Sequence, residues 1–148
     1  MEVSVLDIKG QETGRKVVLA FAGDHAPSFV DHVADTTRAE GNDLQILERS
    51  TPFFIWANYP LEHIDAATIT ADSLNRMDMV MLAPTIAQQA GLPLTGYYKY
   101  LLAMKQQTPV VTAANDYMKV DGTTGTYGED ESLDAWVKGY LALEYNNI

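Results

Sequence analysis

The amino-acid sequence predicts an α/β fold, and three observations support this prediction. Two continuous apolar runs, 17–22 (VVLAFA) and 51–58 (TPFFIWAN), have the pattern of strands buried on both faces of a parallel sheet. A segment of helical length joins them, so we expect a parallel pair with a crossover connection. Apolar residues at helical spacing then recur in the second half of the chain.

The remaining elements of the first half are a strand, a turn and a helix. Residues 1–8 alternate loosely between apolar and polar and predict a strand, and 9–16 form a charged turn with two glycines. After the run 17–22, Pro27 opens a predicted helix that extends to about Glu40.

The second half contains mainly predicted helices. Pro84 should kink or divide the first of them, Gly91 should end it, and Ser132 should cap the last. The predicted elements are helices at 70–91, 95–107 and 133–148, a short strand at 108–113, and a Gly- and Thr-rich loop or hairpin at 116–132.

Composition indicates a globular protein that does not bind nucleic acid. The 148 residues are enough for one domain with a core, and we expect 1–148 to form a single domain. Apolar residues make up 47% of the chain, and the formal net charge is −10 with scattered basic residues, which disfavours contact with a phosphate backbone. The absence of cysteine excludes disulfides, thiolate metal sites and a cysteine nucleophile.

Membrane and export signals are not visible in the sequence. No stretch approaches the roughly 18 apolar residues of a membrane span, and the start of the chain lacks the basic and then apolar pattern of an export signal. We therefore expect no membrane span, and a cytoplasmic location if the chain is expressed as written.

Asp24 and His25 are the main candidate site, because they directly follow the buried run and Gly23. In an open α/β sheet, functional groups collect beyond the carboxyl ends of the strands. A carboxylate beside an imidazole suits a divalent metal such as Mn²⁺ or Zn²⁺, or a general base oriented by an acid. The alternative is a polar turn after a buried strand.

Other polar and aromatic residues carry weaker signals. Asp31 and His32 form a second acid and imidazole pair two helical turns on, but a solvated helix face is the simpler explanation of them. We assign no role to His63, which falls in a polar loop. A Tyr run at 97–100 could stack on a sugar or lipid headgroup, but packing against the sheet is the simpler expectation.

Four stretches occur in an order that resembles one known family. They are 14–29 (GRKVVLAFAGDHAPSF), 51–61 (TPFFIWANYPL), 69–111 (ITADSLNRMDMVMLAPTIAQQAGLPLTGYYKYLLAMKQQTPVV) and 140–148 (YLALEYNNI). Together they resemble the carboxyl-terminal part of the sulfatase-domain phosphoglycerol transferases, which include lipoteichoic acid synthase and belong to the alkaline phosphatase superfamily. The resemblance implies a partial alkaline-phosphatase- or sulfatase-like sheet with flanking helices, in a carboxyl-terminal fragment of a larger sulfatase-type catalytic domain.

The resemblance also implies a divalent metal, Mn²⁺ with Mg²⁺ or Zn²⁺ as alternatives, held partly by Asp24 and His25. Family members transfer glycerophosphate from phosphatidylglycerol, or act on phosphate or sulfate esters, through a metal-activated Thr. They are anchored in the membrane, with the catalytic domain outside the cytoplasm in the cell envelope. Their Thr and their other metal ligands precede the GDH strand. We therefore assign no catalytic residue, expect an amino-terminal half to be missing, and expect this chain to be inactive alone.

A second interpretation comes from a different class of protein. The chain could be a non-catalytic binding or complementing module that docks on a partner chain supplying the missing half. A sheet separated from its other strands would leave unpaired backbone groups and exposed apolar surface.

Overall fold

The structure, a computed structural model, describes residues 5–25, 41, 46, 49–61, 76–112 and 116–145. It is a mixed α/β arrangement of small sheets and helices, which confirms the general fold class. The elements are β1 (Val18–Ala22), β2 (Phe53–Ala57), a 3₁₀ turn (Met79–Met81), α1 (Leu82–Gln89), α2 (Gly96–Lys105), β3 (Val110–Val111), β4 (Asp116–Met118), β5 (Thr124–Thr126) and α3 (Glu131–Tyr145). The predicted helix from Pro27 to Glu40 lies outside the described residues.

The first sheet is an antiparallel pair, so the prediction of a parallel pair was wrong. β1 and β2 run in opposite directions, with Val18 opposite Ala57 and Ala22 opposite Phe53. Apolar runs of this kind occur in both orientations, and a long connecting segment permits a crossover without requiring one. The side chain of Asn58 fixes one end of the pair, because its Oδ1 accepts the Val17 N–H at 2.8 Å.

The prediction that these strands are buried on both faces was also wrong. Leu19 and Phe21 are 53% and 54% exposed, and Phe54 is 50% exposed. All three lie on one face, where the rings of Phe21 and Phe54 stack with centroids 5.5 Å apart. The opposite face is half-buried. Each strand therefore has one half-buried face and one exposed face. A sequence that is apolar on both faces does not distinguish them.

The second sheet has the order β3-β4-β5 and is antiparallel throughout. β4 and β5 form a hairpin within 116–132, which confirms the hairpin alternative for that segment. Thr108 is fully buried at its base, with the hydroxyl 3.0 Å from the carbonyl oxygens of Val110 and Met118.

The helices begin and end where local chemistry satisfies their terminal groups. Thr95 caps α2 by accepting the Tyr98 N–H at 3.1 Å. Gly91, at φ +67°, follows Ala90, the C-cap residue of α1, and confirms the predicted end. Pro84 causes no kink because it lies in the first turn of α1, where its missing N–H costs no intrahelical bond. The residues 76–78, predicted as helix, precede the 3₁₀ turn and are not helical.

Asp130, and not Ser132, satisfies the start of α3. The Asp130 Oδ1 accepts both the backbone N–H of Ser132, at 3.1 Å, and its hydroxyl, at 2.6 Å. Lys119 donates to the same carboxylate at 2.8 Å, and together with the Ser132 hydroxyl it holds the pKa of Asp130 well below its usual range. The predicted cap, Ser132, was two residues too late, because both serine and aspartate favour the capping position.

The core lies between the 3₁₀ turn, α2 and α3. Met81, Met104 and Val137 are buried at its centre. Tyr100 and Trp136 pack beside them with ring centroids 5.3 Å apart, and the Tyr100 hydroxyl donates to the Trp136 carbonyl oxygen at 2.7 Å. Tyr100 therefore packs against a helix, which corrects the expectation that it packs against the sheet.

Candidate functional site

A cleft of about 380 Å³ lies where the first sheet meets the helical core. Its walls come from the end of β1, the start of β2, the residues 76–79 and β3. Apolar side chains, including buried Ile46, line part of it. Its polar residues are Asp24, Arg49, Ser50, Thr51, Arg76, Asp78 and Thr112.

Gly23 brings the end of β1 against the residues that precede β2. Its N–H donates to the Pro52 carbonyl oxygen at 3.0 Å, and its own carbonyl oxygen accepts the Thr51 hydroxyl at 2.8 Å. A Cβ at this position would lie 2.9 Å from the Thr51 Cβ, closer than two carbon atoms pack. Glycine is therefore required here for the close approach of the two strands.

The structure places Asp24 at the rim of this cleft, and His25 lies beside Asp24 without lining the cleft. The Asp24 Oδ2 lies 3.6 Å from the His25 Nε2, and the side chains are 89% and 78% exposed. The His25 backbone N–H donates to the other carboxylate oxygen of Asp24 at 3.0 Å. This bond fixes the direction of the Asp24 carboxylate and leaves Oδ2 on the side of the imidazole.

The separation of these two atoms is that of an ion pair and is slightly longer than the distance between two ligands of one metal ion. Two donors that bind one tetrahedral ion at 2.0–2.2 Å lie about 3.4 Å apart, and two adjacent donors of an octahedral ion lie about 3.0 Å apart. The observed 3.6 Å exceeds both values, so the two side chains would have to approach each other slightly to bind one ion. A carboxylate oxygen and an imidazole nitrogen are also the donor types that Mn²⁺ and Zn²⁺ accept.

The described residues supply only these two donors. Within that part of the chain, no group of three or more His, Asp or Glu side chains is arranged to hold a metal ion. Asp31, His32 and His63 all lie outside the described residues. Since such ions take four to six donors, Asp24 and His25 do not by themselves complete a metal site.

Sequence reasoning missed the two arginines of the cleft. Arg49 and Arg76 both line it and are exposed. Among the described residues, neither guanidinium lies within ion-pair distance of a carboxylate. The two residues are far apart in the sequence and belong to no motif, so only the folded chain brings them to one cavity. Two guanidinium groups in one cleft favour an anionic ligand such as phosphate or sulfate.

Asp78 is a half-buried carboxylate on the opposite wall of the cleft. Its side chain accepts the Val80 N–H at 3.1 Å, and its own N–H donates to the Pro109 carbonyl oxygen at 2.7 Å. Burial raises the pKa of Asp78, the Val80 N–H opposes that shift, and the nearby charge of Glu144 adds to it. Ionised Asp78 is therefore a costly group in the folded state.

We expect Asp78→Asn to stabilise the protein at neutral pH. The folded state binds the Asp78 proton more tightly than the unfolded state, so stability should fall as pH rises from 3.8 through the raised pKa. Asparagine keeps the acceptor for Val80 and removes the charge, which should add about 1 kcal/mol at pH 7. Urea unfolding at several pH values measures this. An unchanged pH profile in Asp78→Asn would contradict it.

Among the described residues, no helix combines the length and apolar character that crossing a bilayer requires. A search of protein-family models, of curated proteins and of solved structures finds no match to this sequence. The functional interpretation therefore depends on the residues of the cleft and its rim.

Proposed function

We propose that the chain is the carboxyl-terminal portion of a metal-dependent phosphoglycerol transferase or sulfatase-like hydrolase, acting on phosphate or sulfate esters. The observation that carries this proposal is the pair Asp24 and His25, whose donor atoms lie 3.6 Å apart, with Asp24 at the rim of a cleft that contains two arginines. The described residues supply neither the remaining metal ligands nor a nucleophile, and in this proposal they are inactive on their own.

Four residues have a defined task in this proposal. Asp24 and His25 hold one side of the metal ion, Mn²⁺ in preference to Mg²⁺ or Zn²⁺. The ion, when bound, stabilises the negative charge that grows on the ester oxygens during transfer. Arg49 and Arg76 hold the other anionic oxygens of the phosphate or sulfate group through their N–H donors. Glycerophosphate and lipid headgroups carry such a group.

The first test is Mn²⁺ binding to the full chain, measured by titration calorimetry. We expect the double variant Asp24→Ala with His25→Ala to bind Mn²⁺ at least about tenfold more weakly than the wild type, because two donors are lost. Glu131→Ala, which removes an exposed carboxylate at the start of α3, serves as the control for net charge. Equal affinities in the wild type and the double variant would overturn the proposed site.

The second test concerns the arginines of the cleft. We expect the double variant Arg49→Gln with Arg76→Gln to lower the affinity for glycerol phosphate about tenfold, since it removes two charge-assisted donors. Arg15→Gln removes one exposed arginine outside the cleft and should have little effect. Binding is followed by calorimetry at low ionic strength. A loss of affinity in Arg15→Gln equal to that in the double variant would contradict recognition in the cleft.

One observation favours the second candidate, a non-catalytic module that docks on a partner chain. The sheet formed by β1 and β2 exposes Leu19, Phe21 and Phe54 on one face, as expected for a sheet whose neighbours lie elsewhere. Such a chain should associate or aggregate when it is isolated. A compact monomer in size-exclusion chromatography at every concentration would argue against this function.

A further inference from the structure

The edge of β1 that faces away from β2 presents backbone groups that no strand among the described residues pairs with. The Asn58 N–H donates to the Val17 carbonyl oxygen at 3.2 Å. At the other end of the strand, the Gly23 N–H donates to the Pro52 carbonyl oxygen at 3.0 Å. In an antiparallel pair these contacts fix which residues face the partner strand. The residues between them, Val18, Ala20 and Ala22, therefore direct their N–H and C=O groups away from β2, and in the described part of the chain no strand pairs with them.

We propose that this edge pairs with the β1 edge of a second copy of the chain, antiparallel and centred on Ala20. With this centre, Ala20 faces Ala20 of the second copy, and Val18 faces Ala22. All three outward-facing residues then exchange hydrogen bonds, so the two sheets form one four-stranded sheet. A single symmetric register satisfies the whole edge.

The charges at the two ends of the edge agree with this register. Lys16 lies four residues before Ala20, and Asp24 lies four residues after it. Antiparallel pairing about Ala20 therefore sets Lys16 of each copy opposite Asp24 of the other, which gives two opposite-charge pairs by symmetry. The Lys16 Nζ already lies 5.0 Å from the centre of the Tyr59 ring, which holds the side chain at this end of the sheet.

The exposed apolar face of the first sheet also agrees with the register centred on Ala20. The same register places Leu19 opposite Phe21 of the second copy, again twice by symmetry. These residues are 53% and 54% exposed in one chain. Cross-strand apolar pairs stabilise a sheet, and two such pairs would cover part of the exposed face beside the stacked rings of Phe21 and Phe54.

The free edge of β2 offers no comparable match. Its outward-facing residues are Phe53, Ile55 and Ala57, and symmetric pairing would centre on Ile55. No charged residue lies within four positions of that centre, and prolines at positions 52 and 60 flank the strand and limit its extension. Charge complementarity therefore selects the β1 edge.

The expected dimer is weak. Two five-residue strands bury less area than the roughly 1,200 Å² of a stable interface, and each copy carries a formal net charge of −10. We expect a dissociation constant in the micromolar range at physiological ionic strength, where long-range repulsion is screened. The experiments are performed with a chelator, because the proposed metal site uses the same Asp24 carboxylate.

The first experiment compares two proline variants by sedimentation equilibrium of the full chain. Ala20→Pro removes an outward-facing N–H from the β1 edge, and Ala57→Pro removes one from the β2 edge; both leave the β1–β2 hydrogen bonds in place. We expect dimers in the wild type and in Ala57→Pro, and at least a tenfold weaker dimer in Ala20→Pro. A wild type that is monomeric up to about 1 mM, or a dimer lost only in Ala57→Pro, overturns the proposal.

The second experiment reverses the charges at Lys16 and Asp24. It tests the β1-edge dimer even if Ala20→Pro fails to fold. Lys16→Glu and Asp24→Lys should each weaken the dimer about tenfold, because each places like charges opposite each other twice. The two changes together should restore wild-type affinity. Lys138→Glu, an exposed change on α3, is the charge control. If the double variant is no tighter than either single variant, the register is wrong and the proposal fails.

Discussion

Gly139→Ala should lower the free energy of unfolding by about 3 kcal/mol, the largest effect that we expect of any single change in this chain. Gly139 lies in α3 directly against the Tyr100 hydroxyl, and an added Cβ would collide with that oxygen. The same hydroxyl donates to the Trp136 carbonyl oxygen at 2.7 Å and joins α2 to α3. The collision would therefore break the main polar contact between the two helices.

Urea unfolding followed by circular dichroism measures this effect, and two variants control it. Gly96→Ala adds a Cβ at the first residue of α2, where no atom lies within 4 Å, and it should leave stability nearly unchanged. Tyr100→Phe removes the colliding oxygen, so adding Gly139→Ala in that background should cost less than in the wild type. Equal costs in the two backgrounds would rule out the collision as the cause.

Gly23→Ala should lower the free energy of unfolding by about 2 kcal/mol and also weaken Mn²⁺ binding. The new Cβ would lie 2.9 Å from the Thr51 Cβ, so β1 must move away from the residues before β2. That movement breaks the bond from the Thr51 hydroxyl to the Gly23 carbonyl oxygen and displaces the adjacent Asp24. Urea unfolding and calorimetry on the same samples measure both effects.

Thr51→Gly provides the companion variant for this prediction. It removes the Cβ that the new methyl group would meet, so Gly23→Ala should be less destabilising in that background. The Mn²⁺ affinity should recover in parallel if the close approach positions Asp24. A variant that loses stability while binding Mn²⁺ as the wild type does would show that the site does not depend on this contact.

The helices of the second half were predictable because local residues determine them. Thr95 caps α2, and Gly91 follows α1 in the left-handed conformation that glycine adopts without strain. The apolar spacing of α3 reports the face that packs on the core, where Leu133 and Val137 are buried. In each case the side chain that determines the helix end, or the face that packs on the core, lies within a few residues of it.

The arrangement of the first sheet was not predictable from the same kind of pattern. The run 17–22 is apolar at every position, so it does not distinguish a strand covered on both faces from one that exposes Leu19 and Phe21. Strand direction depends on how the connecting segment returns, which apolar composition does not report. The errors in strand burial and in strand direction have the same origin. Both properties depend on contacts between residues that are far apart in the sequence.

In the candidate site, too, residues that are adjacent in the sequence were predictable, and residues that only the fold brings together were not. Asp24 and His25 were identified from their place after an apolar run, and the structure brings their donor atoms to 3.6 Å. Arg49 and Arg76 could not be identified, since only the fold brings them to the cleft and neither belongs to a local motif. Adjacent residues reveal a pair in the sequence, whereas residues 27 positions apart do not.

Pulsed electron paramagnetic resonance of bound Mn²⁺ tests the central claim, that Asp24 and His25 hold a divalent metal, most directly. Coupling of the electron spin to a histidine nitrogen identifies an imidazole ligand, and labelling the three histidines with ¹⁵N confirms its source. We predict a histidine nitrogen coupling in the wild-type chain that is lost in His25→Gln. A spectrum that resembles Mn²⁺ in water, or a coupling that persists in His25→Gln, would contradict the account.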